Sequence, residues 1–119
     1  MSYLLDGHEY KAINRTVLAV VKKYITENPE ITYQELKKVF PDNLQGSTGV
    51  IKNKIDYEEF LARTSTGDRR FFKDNILKIK DDDIYVCTEW GDDGRSGKGN
   101  IRPFISYTNK RLNYGVKII

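Results

Sequence analysis

The sequence predicts an α+β domain in which a helical half is followed by a β-hairpin, a further helix and a closing strand. Three observations carry this. Apolar residues recur at spacings of three and four from Ile13 to Ile25 and from Ile101 to Leu112, the period of a helix with one buried face. Two β-rich runs, Ile76–Lys80 and Ile84–Thr88, flank the polar triplet Asp81-Asp82-Asp83. The strands gather after the early helices instead of alternating with them, which separates α+β from α/β. Three early helices and then a hairpin resemble the winged-helix plan, with a helix and a strand added.

The chain of 119 residues is long enough for one core. The expected division is a lead-in over 1–12 and a single domain over 13–119. In the lead-in, Leu4 and Leu5 tuck against the body. His8, the only histidine, reads as a surface residue. The first helix spans Asn14 to Asn28 and stops at Asn28-Pro29, because proline lacks an amide donor and disfavours a helical residue before it.

The second helix is the best punctuated. Thr32 and Glu35 have capping-box spacing, and Ile31 and Leu36 stand at the two positions of a hydrophobic staple. Leu36, Val39 and Phe40 face inward, and Pro41 ends the helix. Lys37 and Lys38 lie near its C-terminal end, where positive charge suits the helix dipole. A turn-rich connection, Pro41 to Gly49, leads to a short strand beginning at Val50-Ile51. Asp56 to Glu59 reads as a second capping box, opening a short helix with Phe60 and Leu61 inside. Arg69-Arg70-Phe71-Phe72-Lys73 follows, with one Phe expected in the core and the other partly exposed.

In the return strand of the hairpin, Ile84, Val86 and Thr88 share one face and Tyr85 and Cys87 the other. The Asp triplet makes the turn. The last helix takes Asn100 as N-cap and carries Pro103 in its first turn, where a missing amide costs little. Asn113-Tyr114-Gly115 ends it, and Val116 to Ile119 is the closing strand.

Several chemistries find no support in the sequence. One His and one Cys cannot fill a four-ligand zinc site. No spaced set of carboxylates completes a calcium loop around Asp81–Asp83. A phosphate-cradling GxxxxGK[ST] loop fails near Gly97-Lys98, because Asp92 and Gly99 stand where its first Gly and its Ser/Thr belong. Glu35-Leu36-Lys37 has the spacing of a PD-(D/E)xK nuclease core, but it lies in the capped helix. The expectation is a protein that is not an enzyme, with no cofactor and no metal. The single Cys87 reads as a small buried hydrophobe and excludes an internal disulfide. No apolar run is long enough to span a membrane and no signal peptide is evident, so the expected location is the cytoplasm.

Net charge is +3, and it is unevenly placed. Residues 1–50 carry 6 basic and 6 acidic side chains, whereas residues 51–119 carry 14 and 11. The excess therefore lies with the hairpin and the glycine-rich stretch Gly91–Gly99. Basic groups beside aromatics and glycines suit phosphate contact. The candidate nucleic-acid contacts are Arg69, Arg70, Lys73, Arg95, Lys98 and Arg102, with Lys52 and Lys54 as further candidates. Glu58 and Glu59 sit on the short helix that would be the recognition helix. Their charge opposes standard major-groove docking. Two partner classes fit: DNA, or a host or defence-system protein.

The runs Ile31 to Ser47 and Gly49-Val50-Ile51 together resemble the start of a known module. Its later parts are matched by Arg70-Phe71-Phe72, Val86-Cys87-Thr88-Glu89-Trp90-Gly91, Asn100-Ile101 with Phe104-Ile105, and Leu112 to Val116. The module is a short accessory unit at the ends of larger bacterial proteins, often of restriction and other anti-phage systems. The likeness covers most of 28–119. It implies a targeting role and not the nuclease or ATPase itself. Gly91–Gly99 is longer than the module's usual spacing between Trp-Gly and Asn-Ile.

Overall fold

The computed structural model describes residues 2–65, 67–92 and 99–119. It is mixed α+β, with four α-helices and two three-stranded antiparallel sheets among the described residues. Arg95 and Lys98 lie outside them.

Residues 1–12, expected as a lead-in, hold two strands. β1 (Tyr3–Leu5) and β2 (His8–Tyr10) pair antiparallel with Leu5 opposite His8. The two turn residues, Asp6 and Gly7, have φ of 53° and 77°. Left-handed angles at both positions make a tight turn whose twist matches the strands it joins. On its other edge β1 pairs with β6 (Lys117–Ile118), giving the order β2-β1-β6. Ser2 and Ile119 extend that pairing by exchanging backbone hydrogen bonds of 2.9 and 2.8 Å. Tyr3 and Leu5 are buried.

α1 (Ile13–Glu27) buries the expected stripe, Val17, Val20, Val21 and Ile25, together with Thr16 and Leu18. Asn28 closes it by donating from its side chain to the Tyr24 carbonyl. α2 (Tyr33–Val39) has the complete capping box. The Glu35 amide donates to Thr32 Oγ1 at 3.2 Å, and the Thr32 amide donates to Glu35 Oε1 at 3.0 Å. Leu36 and Phe40 are fully buried.

After a 3₁₀ turn at Asp42–Leu44 come β3 (Ile51–Asn53) and α3 (Lys54–Arg63). The Asp56 capping box is not what starts α3. Asn53 is the N-cap, accepting from the Asp56 amide at 2.9 Å, and the helix begins two residues before Asp56. The same Asn53 side chain donates to Asp82 at 3.0 Å, so cap and sheet tether are one residue. The Asp56 carboxylate is taken by the Tyr33 hydroxyl at 2.7 Å.

The second sheet has the order β3-β5-β4, with β4 (Leu77–Ile79) and β5 (Asp82–Val86) as the hairpin. Its turn is shorter than the Asp triplet. Ile79 faces Asp82, so Lys80 and Asp81 alone make the turn and Asp82 and Asp83 enter the strand. Asp82 is held there by Asn53, and Asp83 by Lys78 opposite it at 2.8 Å.

β5 is buried on both faces. Ile84 and Val86 join the main core with Val17, Phe40, Trp90 and Phe104. Tyr85 and Cys87 join a second cluster with Tyr57, Phe60 and Phe71. The alternation of the strand thus divides the core in two. Phe71 and Phe72 are both buried, one in each cluster, whereas the sequence predicted one of them partly exposed. α4 (Ile101–Leu112) buries Ile101, Phe104, Ile105 and Thr108. It ends at Asn113 in the left-handed region, φ 60°. Asn109 then exchanges two side-chain bonds with the Val116 backbone and sets the path into β6.

Candidate nucleic-acid interface

The second aromatic cluster is the floor of the site. Tyr57 and Phe60 come from one face of α3, and Phe71 and Tyr85 from the sheet side. Tyr57 stacks on Tyr85 at 4.0 Å, and Phe71 meets both Tyr57 and Phe60 edge-on at 5.6 Å. Lys52 is the middle residue of β3 and faces Tyr85 across the ladder, so strand alternation brings its side chain out over this cluster. Its Nζ stands 5.2 Å from the Phe60 ring centre and 5.9 Å from that of Phe71. Arg70 arrives from the 3₁₀ turn Gly67–Arg70, with its guanidinium carbon 5.9 Å from the Phe60 ring and Nη1 3.4 Å from Thr48 Oγ1. Two half-buried cations therefore share one ring. Among the described residues neither makes an ion pair. Burial is the first cause that lowers the Lys52 pKa, and the charge of Lys37 is the second. Arg63 adds to the same effect, while Asp42 and Asp56 oppose it.

The loop beside the cations is braced by side-chain amides. Gln45 Oε1 accepts from the Thr48 and Gly49 amides at 3.1 and 3.0 Å, and Gln45 Nε2 donates to the Glu89 carbonyl at 2.9 Å. Asn100 Nδ2 donates to the carbonyls of Gln45 and Glu89 at 3.0 and 3.2 Å, and its Oδ1 accepts from the Gly91 amide at 3.0 Å. Asn100 therefore makes no side-chain cap on α4, although it stands at the N-cap position. Its amide is committed to holding the 45–49 loop against the Glu89–Gly91 backbone.

The other predicted contacts are dispersed. Arg69 is exposed next to Arg70, and its carbonyl accepts from the Thr88 hydroxyl at 2.9 Å. Lys73 pairs with Asp68 at 3.3 Å. Arg102 clamps Asp92 through two hydrogen bonds of 2.7 and 3.1 Å. Lys54 opens α3 in a hollow at the end of the hairpin, with Lys78, Lys80 and Asp81–Asp83 around it. Lys37 and Arg63 were missed as contributors of positive charge at Lys52. Lys37 reads from the sequence as a dipole residue, and it does pair locally with Asp42 at 2.8 Å.

A groove of about 900 Å³ between β2 and α1, lined by His8, Tyr10, Leu18 and Lys22 among others, contains none of the predicted contacts. Among the described residues no three His, Cys, Asp or Glu side chains converge as a metal site, and no helix is long and apolar enough to cross a membrane. No family model, curated protein or solved structure matches the chain.

Proposed function

We propose that the chain is a non-catalytic DNA-binding or DNA-targeting module of the restriction and anti-phage kind, acting in the cytoplasm. Lys52 and Arg70 are its principal phosphate contacts, with Arg69 beside them and Arg95 and Lys98 added from the glycine-rich stretch. The supporting observation is that Lys52 and Arg70 each stand over the Phe60 ring, and neither makes an ion pair among the described residues. A cation that is partly withdrawn from water and left unpaired is costly, and an anionic ligand relieves that cost. Lys73 and Arg102 are secondary, because Asp68 and Asp92 compete with phosphate for them. Both cations of those pairs face solvent, where ion pairs are weak, so the pairs can open. The test is a titration against DNA at two salt concentrations, with wild type and a Lys52→Met/Arg70→Met variant. Binding should weaken with salt and drop in the variant. No binding at low salt, or binding indifferent to both substitutions, rejects the proposal.

A protein-interaction role is the second reading. It is favoured by Ile55, which is 67% exposed on α3 beside exposed Glu58 and Glu59. An apolar residue ringed by charge suits a protein surface better than a phosphate backbone. This reading predicts a defined complex or oligomer free of nucleic acid, visible in the absorbance ratio of the purified protein.

A further inference from the structure

We infer that two copies of the chain associate through the free edge of β2, pairing antiparallel about a twofold axis at Tyr10, so that the sheet of one copy continues into that of the other. The inference is independent of the phosphate-binding reading, because Lys52 lies on the other sheet.

The first ground is which backbone groups are open. β2 stands at the end of the order β2-β1-β6. Ser2 exchanges backbone hydrogen bonds with Ile119. Bonding direction alternates along a strand, so Ser2 and Leu4 turn toward β6, and Tyr3 and Leu5 toward β2. Their partners Tyr10 and His8 turn back toward β1, which leaves the Glu9 amide and carbonyl pointing away from the sheet. The chain is still extended at Ala12, with φ −94° and ψ 132°, so the Lys11 backbone points the same way as Glu9. Among the described residues no backbone hydrogen bond from a loop or cap reaches Glu9 or Lys11. The opposite edge of the sheet is closed at Val116, whose amide and carbonyl are both taken by Asn109.

The second ground is that the side chains on this edge are self-complementary. Glu9 and Lys11 are exposed, and among the described residues neither makes an ion pair. With the axis at Tyr10, Glu9 of each copy stands opposite Lys11 of the other, and the open backbone groups of the same two residues face each other. Opposite charges directly across a ladder attract, and like charges repel. An axis at Glu9 would oppose two carboxylates, and one at Lys11 would oppose two ammonium groups. Tyr10 is therefore the register that the charges select. An interface made of one patch used twice closes on itself as a dimer.

The third ground is room for the side chain on the axis. Tyr10 lies opposite buried Tyr3 and packs against the main core, so it hangs from the face of the sheet that covers α1. Residues directly opposite in a ladder share a face, so Tyr10 of the second copy projects on that face too. The groove of about 900 Å³ between β2 and α1 is the space on that side. Lys22 on its wall is exposed, and its long stem keeps the ammonium in water.

The experiment is sedimentation velocity on the full chain, freed of nucleic acid. So short an edge makes a small interface, so the Kd should fall within a range of about 10 to about 500 µM. Glu9→Lys and Lys11→Glu should each weaken dimerisation at least about tenfold, because each sets like charges opposite one another at both pairs. Mixed in equal amounts, the two variants should form a heterodimer as tight as the wild-type dimer, since opposite charges again meet at both pairs. Both positions are exposed, so each variant should keep the wild-type circular dichroism spectrum. A wild-type chain that stays monomeric at the highest concentration overturns the inference. So does a dimer indifferent to both substitutions, or a pair of variants that remains monomeric when mixed.

Discussion

The side chain of Asn100 reaches back across 55 residues to the carbonyl of Gln45, at 3.0 Å. The same amide group also serves Glu89 and Gly91, so one residue ties three backbone groups from two separate loops. Asn100→Ala leaves those groups without this partner. A partner lost from a partly buried polar group costs about 1–3 kcal/mol, so a loss of about 2 kcal/mol or more is expected in urea unfolding. Asn100→Asp restores the acceptor for Gly91 but not the donors, and should recover only part of that loss. Because the 45–49 loop lies against Arg70, both variants should also weaken anion binding.

Gly49 and Gly46 should respond differently to alanine. Both have positive φ, 92° and 133°, so both substitutions strain the backbone. A Cβ at Gly49 would also lie 2.6 Å from Asp42 Oδ1, while at Gly46 nothing stands within 4 Å. Asp42 cannot retreat freely, because it is paired with Lys37. Gly49→Ala should therefore lower the thermal midpoint further than Gly46→Ala, as read by circular dichroism.

Acid should destabilise the fold partly through α2. The backbone amide of Thr32 holds the Glu35 pKa below its ordinary value, with the Thr32 hydroxyl as second cause. A carboxylate with a depressed native pKa contributes stability that is complete above its unfolded pKa and is lost as pH falls through the lowered native one. Glu27 is lowered in the same sense, first by the Tyr114 hydroxyl and then by Lys23. The urea midpoint should fall as pH drops from the ordinary carboxylate range downward. Glu35→Gln should flatten that fall. Thr32→Ala removes the hydroxyl from the same box and should cost about 1 kcal/mol at neutral pH.

Cys87 should behave as a core residue. It is fully buried in the second cluster, and burial pushes its thiol up to about 12. The thiolate is the reactive form. A thiol reagent at pH 8 should label the native protein only at the rate of unfolding and label it promptly in denaturant. Rapid labelling of the native protein would contradict the packing of β5.

What the sequence made legible was local. The α1 stripe, the Thr32–Glu35 box and the two faces of β5 each rest on spacings of two to four residues, and the structure keeps all of them. What it concealed depends on partners far along the chain. β1 is three residues long, and its second neighbour is β6 at the other end of the sequence. The Asp6-Gly7 turn was the available signal for the first hairpin. Asp56 has the spacing of a cap, but Asn53 takes that place because it also reaches Asp82. Asn100 has the side chain of an N-cap and spends it on Gln45. In the site, Arg70 and Lys52 both reach the Phe60 ring because β3 and the Phe71 segment flank the end of β5, as Ile51 faces Val86 and Phe71 faces Cys87. Strand alternation beside Ile51 was the one clue that Lys52 points away from the main core.

The pairing of β1 with β6 has a mechanical consequence. Tyr3 lies opposite Ile118, and Ser2 bonds to Ile119, so residues 2 and 119 are at the same end of the ladder. Tension applied at those two residues loads the outermost bonds first and opens the pair like a zipper, one rung at a time. A ladder pulled along its length would share the load among all its rungs. β6 should therefore peel away under low force, while the β3-β5-β4 sheet and the cations above Phe60 carry none of it.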